Sequence, residues 1–139
     1  MPTRNATAVW QGTFKEGTGK LSYGSFEQNY SAPSRFEDGA GTNPEELLGA
    51  AHAGCYAMAL NLTLERNGTP AKRVSTTAKV HLTKGEAGFA ISKIDLDVEA
   101  EVPGIDNSKF QEMAEATKTG CIVSRALSAV PMTVNAKLV

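Results

Sequence analysis

Residues 43–68 read NPEELLGAAHAGCYAMALNLTLERNG, and this stretch decides the fold. Both ends of a helix are written into it. Asn43 suits the N-cap, Pro44 fits the first helical position, and Glu46 completes a capping-box-like pattern. Asn67-Gly68, followed by Pro70, stops the helix near Arg66. A helix of roughly 23 residues is about 34 Å long. Its side chains are unusually small: Gly49, Ala50, Ala51, Ala53, Gly54, Ala57 and Ala59. Each glycine costs roughly 1 kcal/mol of helix propensity relative to alanine, so the pattern predicts a second backbone approaching closely. The apolar stripe is expected along Leu47 or Leu48, Ala51, Cys55, Met58 or Ala59, and Leu62. That stripe turns Cys55 toward the core or an interface.

Upstream, residues 7–14 and 21–26 read as two strands joined by a turn at 15–20, an N-terminal hairpin. Residues 28–42 read as a loop carrying Arg35-Phe36. Gly17-Thr18-Gly19-Lys20-Leu21-Ser22 has the look of a phosphate loop, but Phe14 stands where the first glycine is needed and Leu21 where a hydroxyl must bind magnesium. A hairpin turn is expected there. Downstream, Val74, Thr76, Ala78, Val80 and Leu82 alternate as a strand. Residues 93–102 alternate more strictly, with Ile94, Leu96, Val98, Ala100 and Val102 against Lys93, Asp95, Asp97, Glu99 and Glu101, as in a half-buried antiparallel strand. Asp106 caps a second helix with Phe110, Met113, Ala114 and Thr117 on one face, ending near Gly120. Residues 121–129 form a further short helical stretch, and 132–138 a last strand. The order ββ-α-ββ-α-α-β is α+β, in a single domain over residues 1–139.

The chain has 139 residues, with 14 Lys+Arg against 15 Asp+Glu and a formal net charge of −1. Nucleic acids and anionic membrane surfaces both reward a basic excess, so neither is an expected partner. The most apolar stretch, 47–64, is interrupted by His52 and Asn61 and flanked by Glu45, Glu46 and Glu65, which argues against a membrane span. With no signal-peptide pattern at the start, a cytoplasmic location is expected. Neither His52 nor His81 has a partner at ligand spacing, so no metal site is expected. The two cysteines, Cys55 and Cys121, make neither a disulfide-dense scaffold nor a CxxC motif.

Cys55 has two readings. It is a small buried hydrophobe, or it is a reactive thiol. Reactivity requires the thiolate, and an ordinary thiol is mostly protonated at neutral pH. The helix dipole gives little help in mid-helix, so a reactive Cys55 needs a cation from outside the helix. Arg35 is the nearest candidate in sequence; the alternative is an ordinary surface arginine. Cys121 follows Gly120 at the start of a short helix, where backbone N–H groups favour a thiolate. Residue chemistry alone leaves either cysteine as the nucleophile, and whether they pair depends on the fold.

Residues 42–60, TNPEELLGAAHAGCYAMAL, resemble the signature helix of the OsmC/Ohr family of thiol-dependent peroxidases, most closely its OsmC branch. Ser34-Arg35-Phe36-Glu37, Glu86-Ala87-Gly88-Phe89-Ala90-Ile91 and Val102-Pro103-Gly104-Ile105-Asp106 resemble that branch too. Gly120-Cys121-Ile122-Val123-Ser124 is similar to its second cysteine motif. The resemblance covers nearly the whole chain. It implies antiparallel sheets around a long central helix, an intertwined homodimer with active sites at the interface, and a role in oxidative or osmotic stress. It further implies reduction of organic hydroperoxides, and of hydrogen peroxide less well. Cys55 would be the peroxidatic thiolate, Cys121 the resolving thiol of an intramolecular disulfide, Arg35 the activating cation and Glu45 the group that orients it. No cofactor would be needed beyond an external dithiol reductant, such as a lipoyl-type one. One departure is Ile122, where the family commonly has proline; it restores an N–H donor and loosens φ.

Glu45 precedes Cys55 by ten residues, about 15 Å along one helix. The Glu45 that serves a given Cys55 is therefore expected to come from the other subunit. Phe36, Met58 and Tyr56 are candidate walls of an apolar substrate pocket. Two rivals stand beside the peroxidase: a non-catalytic redox-sensing or binding module of the same fold, and a structural protein with both cysteines inert.

Overall fold

The strict alternation over 93–102 is realised in strand β5 (Gly88–Glu101). Ile94, Leu96, Val98 and Ala100 are buried on one side, while Lys93 and Glu99 are exposed. The fold is that of a computed structural model describing all 139 residues, Met1–Val139. Its contacts divide the chain into two units, Met1–Leu47 and Leu48–Val139.

In the second unit, β5 pairs antiparallel with β4 (Arg73–Gly85), with a register shift at His81/Leu82. It pairs on its other side with β6 (Met132–Leu138), and this pairing is parallel. Here the expectation of purely antiparallel sheets is corrected. Parallel neighbours need a long crossover, and α3 (Asn107–Gly120) and α4 (Ile122–Ala126) supply it. Asp106 caps α3 by accepting from the Lys109 N–H at 2.9 Å, and Phe110, Ala114 and Thr117 lie on its buried face.

The long helix α2 (Pro44–Arg66) has the predicted bounds. Asn43 Oδ1 accepts from the Glu46 N–H at 2.8 Å. Gly68, at φ +79°, takes the left-handed turn that ends the helix, and the Thr69 N–H returns to the Leu64 carbonyl at 3.0 Å. The buried row differs from the expected one. It runs Gly49, His52, Tyr56, Leu60, Leu64, whereas Ala51, Met58 and Leu62 are exposed and Cys55 is half-buried. The helix is apolar on nearly every side, so periodicity could not choose between adjacent rows. The row that packs inward is the one whose polar members find partners. Tyr56 donates its hydroxyl to the Ala114 carbonyl at 2.7 Å, and His52 pairs with Ser124. Leu60 and Leu64 join the core formed by Tyr56, Ile94, Leu96, Val98, Phe110 and Cys121. Each fully buried leucine contributes roughly 1.5–3 kcal/mol. Gly49 sits against β4: a Cβ there would lie 3.5 Å from the Ala78 carbonyl oxygen and from the Val80 side chain.

The first unit is a three-stranded antiparallel meander, β1 (Ala6–Gln11), β2 (Thr18–Tyr23) and β3 (Phe26–Tyr30), followed by a short helix α1 (Ala32–Phe36). The expected hairpin is thus extended by a strand and a helical turn within what reads as strand end and loop. Gly24, at φ +55°, makes the tight turn that splits residues 21–26 between two strands, with Tyr23 opposite Phe26. The phosphate-loop look-alike lies mainly in β2, from Thr18 onward, rather than in a turn. A Cβ at Gly19 would overlap the Tyr30 ring, so glycine lets Trp10 and Tyr30 meet edge-to-face at 5.4 Å. Most side chains of the three strands are exposed.

Candidate active site

The predicted site residues fall into two pairs. Arg35 and Glu45 belong to the first unit, Cys55 and Cys121 to the second.

Helix α1 presents Arg35. Ser31 caps that turn through a reciprocal box with Ser34, and the Ser34 hydroxyl donates to the Thr42 carbonyl at 2.7 Å. The Asn43 side-chain amide donates to the Ser34 carbonyl at 3.0 Å. These bonds tie α1 to the start of α2 and so set the distance between Arg35 and Glu45. Arg35 Nη2 donates to Glu45 Oε1 at 2.7 Å, and Nε lies 3.2 Å from both carboxylate oxygens. Glu45 is buried and Arg35 about one-third exposed, so the carboxylate orients a guanidinium that keeps an open edge. Arg35 also lies 5.4 Å from the centroid of the Phe36 ring. Both residues line an apolar cleft of about 340 Å³ together with Trp10, Phe14 and Tyr30. Phe36 is therefore a wall of a cleft. Tyr56 is not: it is fully buried core, held by its hydrogen bond to α3. Met58 is 76% exposed on the open side of α2.

In the second unit the two thiols, both free, lie against each other. Cys121 is fully buried at the N-cap position of α4, and Cys55 is half-buried on α2. Burial and the hydrogen bond shared with Cys121 raise the Cys55 pKa, partly offset by the backbone N–H groups of Val123 and Ile122. Burial opposes ionisation of Cys121 too, but its polar neighbours Cys55, Ser124 and the Val123 N–H carry its pKa below the ordinary thiol value. Of the two thiols, Cys121 is thus the one that gives up its proton more readily. None of the groups that lower the Cys55 pKa is a cation.

The N–H at position 122 is one of the donors to Cys55. Proline there would remove it. Ile122→Pro is expected to raise the Cys55 pKa by up to about one unit, the worth of one hydrogen bond to a charged group. The pH midpoint of Cys55 alkylation should move up accordingly.

His52 and Ser124 were not legible as site residues. Both are buried, and His52 Nε2 lies 2.7 Å from Ser124 Oγ. A polar side chain on a helix of small apolar residues was the one available signal, but its partner lies in a distant segment.

A family model described as OsmC-like protein matches residues 37–135. The chain belongs to the OsmC family. It is 47% identical over 129 residues to a protein of Escherichia coli named Peroxiredoxin OsmC, covering 91% of this chain and 90% of that one. A Shigella flexneri protein of the same name matches equally. Among solved structures, an OsmC-like protein from Mycoplasma pneumoniae superposes with a TM-score of 0.77 at 17% identity, over 99% of this chain and 98% of that one. The organic hydroperoxide resistance protein OhrB of Bacillus subtilis gives 0.75 at 25% identity, over 96% and 98%. The OsmC/Ohr fold expected from residues 42–60 is the fold of this chain.

Proposed function

We infer that this OsmC-family chain is a thiol-dependent peroxidase that reduces organic hydroperoxides, and hydrogen peroxide less well. The observation that carries this is the contact between Cys55 and Cys121 at the start of α4, in a chain 47% identical to a peroxiredoxin. The Cys55 thiolate attacks the terminal peroxide oxygen. An S–O bond forms, the O–O bond breaks, and the alcohol leaves with a proton, so Cys55 becomes a sulfenic acid. Cys121 then attacks the Cys55 sulfur, an S–S bond forms, and water leaves. An external dithiol, of lipoyl type, reduces the disulfide, and the cycle requires no prosthetic group.

Arg35, oriented by Glu45, supplies the positive charge that Cys55 lacks, and it acts on the partner's Cys55 in a homodimer. Two features support a second subunit: the exposed apolar side chains Met58, Leu62 and Ile122, and the largely uncovered β1–β3 sheet. The cleft of Trp10, Phe14, Tyr30 and Phe36 suits the organic tail of a hydroperoxide. We read residues 1–139 as one functional domain that works in the cytoplasm.

Steady-state turnover with cumene hydroperoxide and dihydrolipoamide tests the reading and separates it from a non-catalytic redox sensor, which would react once and stop. Cys121→Ser is expected to leave the first reduction of peroxide intact. It should block the dithiol-dependent cycle, with sulfenic and then sulfinic acid accumulating at Cys55 by intact mass.

A further inference from the structure

The second thiol is backed by a buried polar pair that the proposed cycle does not use. His52 on α2 is fully buried, and its Nε2 lies 2.7 Å from Ser124 Oγ on α4. Its other ring nitrogen, Nδ1, is buried without a hydrogen-bond partner. A leucine of similar size would avoid that unsatisfied atom, so packing alone does not account for histidine here. Ser124 stands three residues after Cys121, which occupies the N-cap of α4. At this spacing a side chain reaches back toward the cap residue, and Ser124 is among the groups that lower the Cys121 pKa.

A hydroxyl has one proton. If it is given to sulfur, the Oγ lone pair facing His52 must accept, so His52 carries its proton on Nε2 and leaves Nδ1 bare. We propose that His52 is a positioning residue for the second thiol: by donating Nε2–H to Ser124 it commits the serine proton to Cys121 and holds that sulfur as a thiolate aimed at Cys55. Burial lowers the His52 pKa, so the ring stays neutral and the arrangement does not switch near neutral pH. Among titratable side chains, Cys55 and Tyr56, both on α2, face Cys121.

The proposal rests on the peroxidase reading for the step it serves. In that step the Cys121 thiolate attacks the sulfenic sulfur of Cys55, the S–S bond forms, the S–O bond breaks, and the departing hydroxide takes up the proton Cys121 lost. Ser124 and His52 keep their protons throughout.

The test has two parts. The first follows ultraviolet thiolate absorbance against pH in a Cys55→Ser background, where Cys121 titrates alone. Ser124→Ala and His52→Leu are each expected to raise the Cys121 pKa by about one unit, roughly a tenfold loss of thiolate at neutral pH. The double variant should go no further than Ser124→Ala. His52→Gln, which keeps an N–H near the Nε2 position, should restore most of the loss. A Cys121 pKa unmoved by His52→Leu, or additive effects in the double variant, would overturn the proposal, as would an unmoved pKa in Ser124→Ala. If His52→Leu does not fold, the His52→Gln and Ser124→Ala titrations still decide it.

The second part measures the rate of disulfide formation after one equivalent of cumene hydroperoxide, with Cys55 present. His52→Leu should slow that step roughly tenfold without slowing sulfenic acid formation. Failure of the peroxidase reading would look different: no sulfenic acid in any variant, with the titration result standing.

Discussion

Replacing Cys55 by serine is expected to abolish multiple turnover of cumene hydroperoxide with a dithiol, a loss of at least about a thousandfold. Serine keeps the size and the hydrogen-bonding capacity of the side chain, so the packing of α2 against α4 should be retained. What is lost is the sulfur that, as a thiolate, attacks oxygen. The variant should retain the far-ultraviolet circular dichroism of the parent, and Cys121 should then fail to form any intramolecular disulfide. Retained turnover in Cys55→Ser would pass the nucleophile's role to Cys121, the other candidate that residue chemistry leaves open.

Replacing Arg35 by alanine is expected to lower the rate of peroxide reduction at neutral pH by about 10- to 1000-fold. An adjacent opposite charge moves a pKa by roughly 1–3 units. Removing a cation raises the Cys55 pKa, so the rate should recover as pH rises and the pH–rate profile should shift upward. Glu45→Gln should give a smaller loss in the same direction. It leaves the guanidinium charge in place but loosens the three short contacts that orient it. The pairing across subunits has its own test. Arg35→Ala protein mixed with Cys55→Ser protein, allowed to exchange subunits, should regain about a quarter of the parental activity, because half the dimers are mixed and each mixed dimer holds one complete site. No recovery on mixing would place Arg35 and Cys55 of the same chain in one site.

The parts of the fold that could be read from the sequence are those where local chemistry and packing agree. Asn43, Pro44 and Gly68 mark the ends of α2 by capping and φ preferences that need no distant partner. The alternation over 93–102 translates directly into a buried and a wet face. What escaped the sequence depends on tertiary choices. Strand β3, with the polar run FEQNY, has no apolar alternation to announce it and is held by pairing to β2. The parallel placement of β6 follows from the crossover through α3 and α4, not from its own residues. The buried row of α2 was misplaced because alanines and glycines surround the helix, and the decision fell to His52 and Tyr56 finding Ser124 and Ala114. The two cysteines stood out by residue type, whereas Arg35 and Glu45, which the structure joins in an ion pair, were singled out together only through the resemblance of residues 34–37 and 42–60 to the family's motifs. The His52–Ser124 pair was not legible, because neither residue is unusual until the fold brings them together.

The most direct test of the account is the mass of the reduced protein before and after one equivalent of cumene hydroperoxide, followed by non-reducing peptide mapping. Loss of two hydrogens, with the peptide containing Cys55 joined to the peptide containing Cys121 of the same chain, is the predicted result. Added oxygen without a cross-link, or an unchanged mass, would contradict it.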